Sequence, residues 1–212
     1  MDARKAVIEG DAIIPPAWPS REESEQMTAW LYALDKLMTE KSYITIAIDG
    51  PSGAGKSSLA AWLQNKQEDC AVFHMDDFFL PVAQKTRERL QTPGGNVDWE
   101  RFLCEVLTPI RRGEPFSYRP FNCSTGELEA AVFAAPGKLS IVEGVYSHHP
   151  ALRDAYDMTV FLSIDRDLQL ERIRKRNGGG MLERFINEWI PLEDLYFKKM
   201  EIIQKADYVI SV

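Results

Sequence analysis

Residues 43–58 read Tyr43-Ile44-Thr45-Ile46-Ala47-Ile48-Asp49-Gly50-Pro51-Ser52-Gly53-Ala54-Gly55-Lys56-Ser57-Ser58. The first six are nearly all apolar and rich in β-branched side chains, the composition of a strand buried on both faces in a parallel sheet. From Gly50 to Ser57 the chain fits the pattern G-x-x-x-x-G-K-[ST]. Glycines at these places let the backbone turn tightly and aim its N–H groups inward at phosphate oxygens. A helix predicted from Lys56 to about Gln67 adds its positive N-terminal end. Lys56 can reach the β- and γ-phosphates, and the Ser57 hydroxyl can ligate Mg²⁺. Gly50, Ser52, Gly53, Ala54, Gly55, Lys56, Ser57 and Ser58 are therefore the expected cradle for ATP or another nucleoside triphosphate. A chance match in a glycine-rich turn is the alternative, and the strand-turn-helix context argues against it.

Working outward, the preceding segment predicts a helix over 21–40. Ser20 and Glu23 form a capping pattern, and Met27, Trp30, Leu31, Leu34, Leu37 and Met38 recur at spacings of three and four. That stripe reads as packing, so residues 1–40 are expected to be a segment laid on a core formed by 41–212. Downstream, Ala71–Met75, Leu139–Val142, Met158–Leu162 and Tyr208–Ile210 read as strands. Residues 98–112 predict a helix, 114–135 a hairpin or long loop, and 167–176 a basic helix ended by Asn177-Gly178-Gly179-Gly180. The helical stretch that follows is expected to break or kink at Pro191, which lacks an N–H and crowds the preceding turn. Strands alternating with helices predict an α/β fold with a mainly parallel sheet and helices on both faces.

Composition sets bounds. The 212 residues suit one compact domain. A net charge of −7, from 25 basic and 32 acidic residues, argues against nucleic acid or an anionic membrane as the main partner. Cys70, Cys104 and Cys123 are too scattered for a zinc site or a disulfide framework. No apolar run approaches the roughly 20 residues of a membrane span, and the N-terminus lacks a signal-like apolar core, so a cytoplasmic protein is expected. His74, His148 and His149 form no metal-binding spacing and read as structural or surface residues.

The phosphate loop is followed by Met75-Asp76-Asp77-Phe78-Phe79, then by Val142-Glu143-Gly144-Val145, then by an arginine-rich helix. This order resembles the uridine kinase and phosphoribulokinase group of P-loop kinases, over about Ile44 to Ile210. The resemblance implies a P-loop NTPase fold with a five-stranded parallel sheet, a short lid over 172–184 and a substrate-side insertion over 92–135. It further implies transfer of the γ-phosphoryl group of ATP, with Mg²⁺, to a hydroxyl of a small molecule. By resemblance Asp76 takes the acceptor's proton and approaches Mg²⁺. Glu143 holds Mg²⁺ with Ser57, and Arg172 and Arg176 close over the nucleotide. The bland alternatives are a loop aspartate, a capping glutamate and a solvated basic face; Asp77 reads as a solvent or capping residue.

On the acceptor side, Phe79, Asp98, Tyr118 and Arg119 occupy substrate-contacting positions by resemblance. Asp98 is equally suited to cap the helix it precedes. Val97 stands where the family has an aromatic residue, Arg119 where it has an acid, and Cys123 where it has a histidine; the lid is also short. These departures argue against a pyrimidine nucleoside. A ribose-like acceptor, a phosphosugar or a vitamin precursor are the readings within enzymes. A nucleotide-driven switch is the reading outside them.

Overall fold

The computed structural model describes residues 25–212. Ser20, Glu23 and the expected helix start over 21–24 lie outside the described residues. Helix α1 (Glu25–Glu40) buries Met27, Trp30 and Leu34, and Leu31, Leu37 and Met38 pack beside them, as the stripe predicts. Then come β1 (Ile44–Asp49), α2 (Lys56–Lys66), β2 (Cys70–His74), a 3₁₀ turn (Met75–Phe78) and the short α3 (Arg87–Gln91). Helices α4 (Trp99–Phe102) and α5 (Thr108–Arg112) lead to short strands β3 (Phe116–Tyr118), β4 (Phe121–Asn122), β5 (Glu127–Leu128) and β6 (Val132–Ala134). Strands β7 (Leu139–Glu143) and β8 (Met158–Ser163) precede α6 (Arg166–Asn177), α7 (Gly179–Arg184), α8 (Ile190–Lys199), α9 (Ile202–Lys205) and β9 (Tyr208–Ser211).

Five strands form one parallel sheet in the order β2-β7-β1-β8-β9. Side chains alternate across a strand, and β1 shows the result. Ile44, Ile46 and Ile48 face a core shared with α1 and α2, while Ala47 faces a core shared with α4, α5 and α8. Every residue of β1 is buried, as a central parallel strand requires. The 114–135 segment forms two antiparallel pairs, β3 with β6 and β4 with β5.

Of the break or kink expected at Pro191, the structure excludes the break. The helix does not break there: a π turn over Phe185–Trp189 joins α7 to α8. The predicted 98–112 helix likewise holds a π turn, Leu103–Leu107, just before Pro109. A proline cannot donate to the carbonyl four residues back, and its ring crowds that carbonyl; widening the preceding turn relieves both. The glycine run ends the basic helix, as expected. Gly178 leaves the helix with φ 79°, but Gly179 and Gly180 begin α7.

Candidate active site

Parallel register brings the chemistry to one edge. Ile48 of β1 and His74 of β2 both pair with Glu143 of β7, so the three strands end level. Ligands of open α/β sheets bind at this carboxyl edge. Gly50 turns the chain out of β1 with φ 146°, and a Cβ there would meet the Leu162 carbonyl oxygen at 2.4 Å, so no other residue fits. The loop then enters α2, whose N-terminus has no side-chain cap. The first N–H groups of a helix have no partner within it, so these are open to an anion. Lys56 is buried, and its Nζ donates to the carbonyl oxygens of Gly50 at 2.8 Å and Pro51 at 3.1 Å.

Ser57 Oγ donates to Glu143 Oε1 at 3.0 Å. The same oxygen lies 2.6 Å from His74 Nδ1, whose side chain is 49% exposed. Burial pushes the Glu143 carboxyl up, but the His74 hydrogen bond and the His74 and Lys56 charges outweigh it and hold it below its ordinary value. His74 is raised in turn, first by its hydrogen bond to Glu143. Asp76 follows in the 3₁₀ turn. Its side chain is exposed to solvent, yet neighbouring groups crowd the carboxyl. Desolvation therefore comes first in raising its pKa and the Glu143 charge second, against Lys56, His74 and Arg176. Gly144 permits this proximity: its φ is 135°, and a Cβ there would lie 2.8 Å from Met75 Cβ.

The residues named from sequence fall into two sets. The phosphate loop, Asp76, Glu143 and the α6 arginines, Arg172 and Arg176, come together. Arg172 Nη1 donates to Gly53 O at 3.3 Å; Arg176 donates to Asn177 Oδ1 at 2.8 Å and acts on Asp76 through its charge. Much of the acceptor side is instead engaged in structure. Asp98 realises its capping alternative, accepting from Arg101 N at 3.0 Å, with Arg101 Nε at 3.6 Å. Arg119 Nε and Nη2 donate to the carbonyls of Glu129 (2.6 Å) and Leu128 (2.8 Å), clamping the hairpin. Phe79 bridges to the buried Val97, tying the Asp76 turn to the Asn96–Asp98 segment. Tyr118 stacks on Phe78 at 5.3 Å, and its hydroxyl donates to Asp77 Oδ2 at 3.1 Å. Asp77 is thus neither a solvent residue nor a cap; burial raises its pKa and Tyr118 holds it. Cys123 is exposed, with Asp76 and Asp77 near enough to add to the burial that raises its thiol.

Sequence reading missed three residues. His74 is no bystander, because it orients Glu143; the β2–β7 adjacency that pairs them is not legible along the chain. Asp49, fully buried, accepts from Gly50 N (2.7 Å), His148 N (2.9 Å) and Tyr196 Oη (2.8 Å). Glu193 accepts from Ser52 N at 3.0 Å and from Ser52 Oγ. A signal for Glu193 existed: it shares its helix face with Ile190, Tyr196 and Phe197, and a carboxylate among core positions needs a donor.

The donors fit Mg²⁺. Ser57 Oγ and Glu143 Oε1 are hard oxygens side by side, next to an uncapped helix N-terminus. Mg²⁺ at phosphoryl-transfer sites takes one or two protein ligands and fills its octahedron with phosphate oxygens and water. Among the described residues no cluster of three or more acidic, histidine or cysteine side chains forms a separate metal cage.

No family model matches the chain. Solved structures do. A candidate uridine kinase from Bacillus stearothermophilus superposes with a TM-score of 0.62 at 21% identity, over 86% of this chain and 99% of that one. A candidate fructose transport system kinase from Silicibacter sp. TM1040 also gives 0.62, at 20% identity, over 88% of this chain and 98% of that one. D-glycerate 3-kinase from Cryptococcus neoformans var. grubii gives 0.58 at 17% identity, over 88% and 94%. The chain has the fold of the uridine kinase-like P-loop kinases.

Proposed function

We propose that this chain, built on the P-loop kinase fold, is a phosphotransferase that moves the γ-phosphoryl group of ATP to a hydroxyl of a small molecule. The observation that carries the proposal is the meeting of Lys56, the Ser57–Glu143 pair and Asp76 at one sheet edge. Phosphoryl transfer asks for positioning and charge neutralisation more than for covalent chemistry. The loop amides and Lys56 hold the phosphates. Mg²⁺ held by Ser57 and Glu143 would neutralise charge building on the phosphate oxygens. Asp76 takes the acceptor's proton as its oxygen attacks phosphorus; the raised pKa makes it a better base than an ordinary aspartate. Arg172 and Arg176, on the helix that borders the loop, supply further positive charge to the transferring group.

The acceptor is a small hydroxyl compound seated with its reacting hydroxyl at Asp76. The kinases of this fold named above carry different acceptors in their names, and fold alone does not select among them. With Asp98 and Arg119 engaged in structure and Val97 in the core, a uracil-reading surface is lacking at those positions. A switch reading is disfavoured by the placement of Asp76, which pure nucleotide sensing does not need. Coupled ADP release with uridine, cytidine, fructose and D-glycerate tests the reading. Uridine is expected to fall below about 10⁴ M⁻¹s⁻¹ in kcat/KM, the low end of ordinary enzymes; a higher value restores a simple uridine kinase. ADP release that no acceptor in a broad hydroxyl panel stimulates would count against a kinase.

A further inference from the structure

Glu193 is 4% exposed on a face of α8 otherwise made of buried apolar residues and Tyr196. Burying a carboxylate is costly unless donors meet its oxygens. Ser52, the third residue of the phosphate loop, supplies both donors: its N–H to Oε2 at 3.0 Å and its hydroxyl to Oε1. About one turn further along α8, the Tyr196 hydroxyl donates to Asp49 Oδ2 at 2.8 Å, and Asp49 Oδ1 accepts from Gly50 N at 2.7 Å. The same helix therefore holds the turn at Asp49 and again at Ser52. Between these points Lys56 Nζ fills the inside of the turn from Gly50 O and Pro51 O. Helix α8 is also tied to the start of α6, the helix that bears Arg172 and Arg176. Asp194 accepts both of its bonds from Arg166 Nη2 of α6, at 2.8 and 2.9 Å, and Arg172 of α6 reaches Gly53 O.

We propose that Glu193 is a positioning residue for the phosphate loop, fixing the Ser52 amide from the helix that follows the lid so that cradle and lid seat form one unit. An anion cradle works when its amides already point inward, because no ordering has then to accompany binding. Without the carboxylate the part-buried Ser52 N–H loses its acceptor and the loop loses its outer tie. Glutamine preserves both contacts, since its carbonyl accepts from the N–H and its amide donates to Ser52 Oγ. The consequence for nucleotide affinity rests on the kinase reading above; the tie itself does not.

Hydrogen exchange by mass spectrometry on the nucleotide-free protein reads the tie directly. In Glu193→Ala, the peptide spanning 49–58 is expected to exchange about 10-fold faster than in the parent, with β8 peptides unchanged, a local opening cost of about one lost hydrogen bond. Glu193→Gln should stay within about 3-fold of the parent. The Kd for Mg–ADP, by calorimetry, should weaken about 10-fold in Glu193→Ala and recover in Glu193→Gln. If the alanine variant does not fold, Glu193→Asp serves: it keeps the charge but is too short by a methylene, and should show the same local acceleration. Unchanged exchange in 49–58, or acceleration spread evenly over all peptides, overturns the proposal. Failure of the parent protein to bind Mg–ADP would refute the nucleotide reading instead, while the exchange comparison still decides the tie.

Discussion

At the scale of single residues, the account turns on a carboxylate whose charge is made costly by its surroundings. Asp76 is raised by desolvation and by Glu143. A general base works deprotonated, so kcat/KM should fall as pH drops through that raised pKa, giving an acidic limb above the ordinary aspartate range. Asp76→Asn should keep ATP affinity, cut turnover by about 10²–10⁴ and erase the limb, as pH–rate profiles and calorimetry would reveal. Binding and chemistry falling together would make Asp76 a metal or structural group. Glu143 answers to a different readout. Glu143→Gln weakens a hard oxygen ligand, and His74→Ala frees Glu143 to turn; both should raise the Mg²⁺ needed for half-maximal rate, the first by more. An unchanged Mg²⁺ titration in either variant would contradict its role. The loop residues were legible because their spacing carries mechanism, and Asp76 and Glu143 because the segments that hold them resemble those of a known kinase family. His74 was not, and of Glu193 only its place among core positions was, because each acts through a partner that only the fold supplies, 69 and 141 residues away.

At the scale of elements, most strands and helices were readable from period and composition, within a residue or two at their ends. What could not be read was how prolines are absorbed. Pro109 and Pro191 each follow a π turn, and the helices run on through them. Propensity alone predicts a break; neighbouring packing by Val106, Leu107, Ile110, Phe185 and Ile190 holds the helix together instead. The acceptor side suffered from the same limit, because Asp98 can cap, contact a sugar or do both, and the sequence shows neither the cap nor its Arg101 partner. One glycine sets the distance between elements. Gly144→Ala would place a Cβ 2.8 Å from Met75 Cβ at φ 135°. It is expected to cost about 1–3 kcal/mol of stability through backbone strain, and to lower kcat more than it raises the KM for ATP, because it pushes the Asp76 turn from Glu143. Denaturant unfolding and steady-state kinetics check both; a variant normal in each would show that the two elements are not tightly coupled there.

For the molecule as a whole, the parallel sheet and its two apolar faces followed from the strand-turn-helix pattern, and the strand order had to come from the structure. Stability should carry a mark of the core beneath the acceptor segment. His149 stacks on Trp99 at 4.9 Å and accepts from Ala151 N at 3.3 Å, and burial lowers its pKa to about 4. Unfolded, the ring protonates near pH 6.5; folded, it resists until about pH 4. The unfolded state thus binds more protons between those values, and stability should be full above about pH 6.5 and fall as pH drops toward 4, by about 3 kcal/mol at most. His149→Asn, which keeps an acceptor for Ala151, should be less stable at neutral pH but flatter across that window. Some slope should remain from His148, also lowered by burial; an unchanged slope would contradict the assignment.

The proposed reaction moves a phosphoryl group from ATP to a hydroxyl on another molecule. Single-turnover transfer from γ-labelled ATP with Mg²⁺, over a panel of small hydroxyl acceptors, tests it most directly. The label should appear in an acceptor phosphate ester for at least one compound, and should fail to do so with Lys56→Ala or Asp76→Asn. Label recovered only as inorganic phosphate, at a rate no acceptor alters, would contradict the claim and make the chain a nucleotide hydrolase.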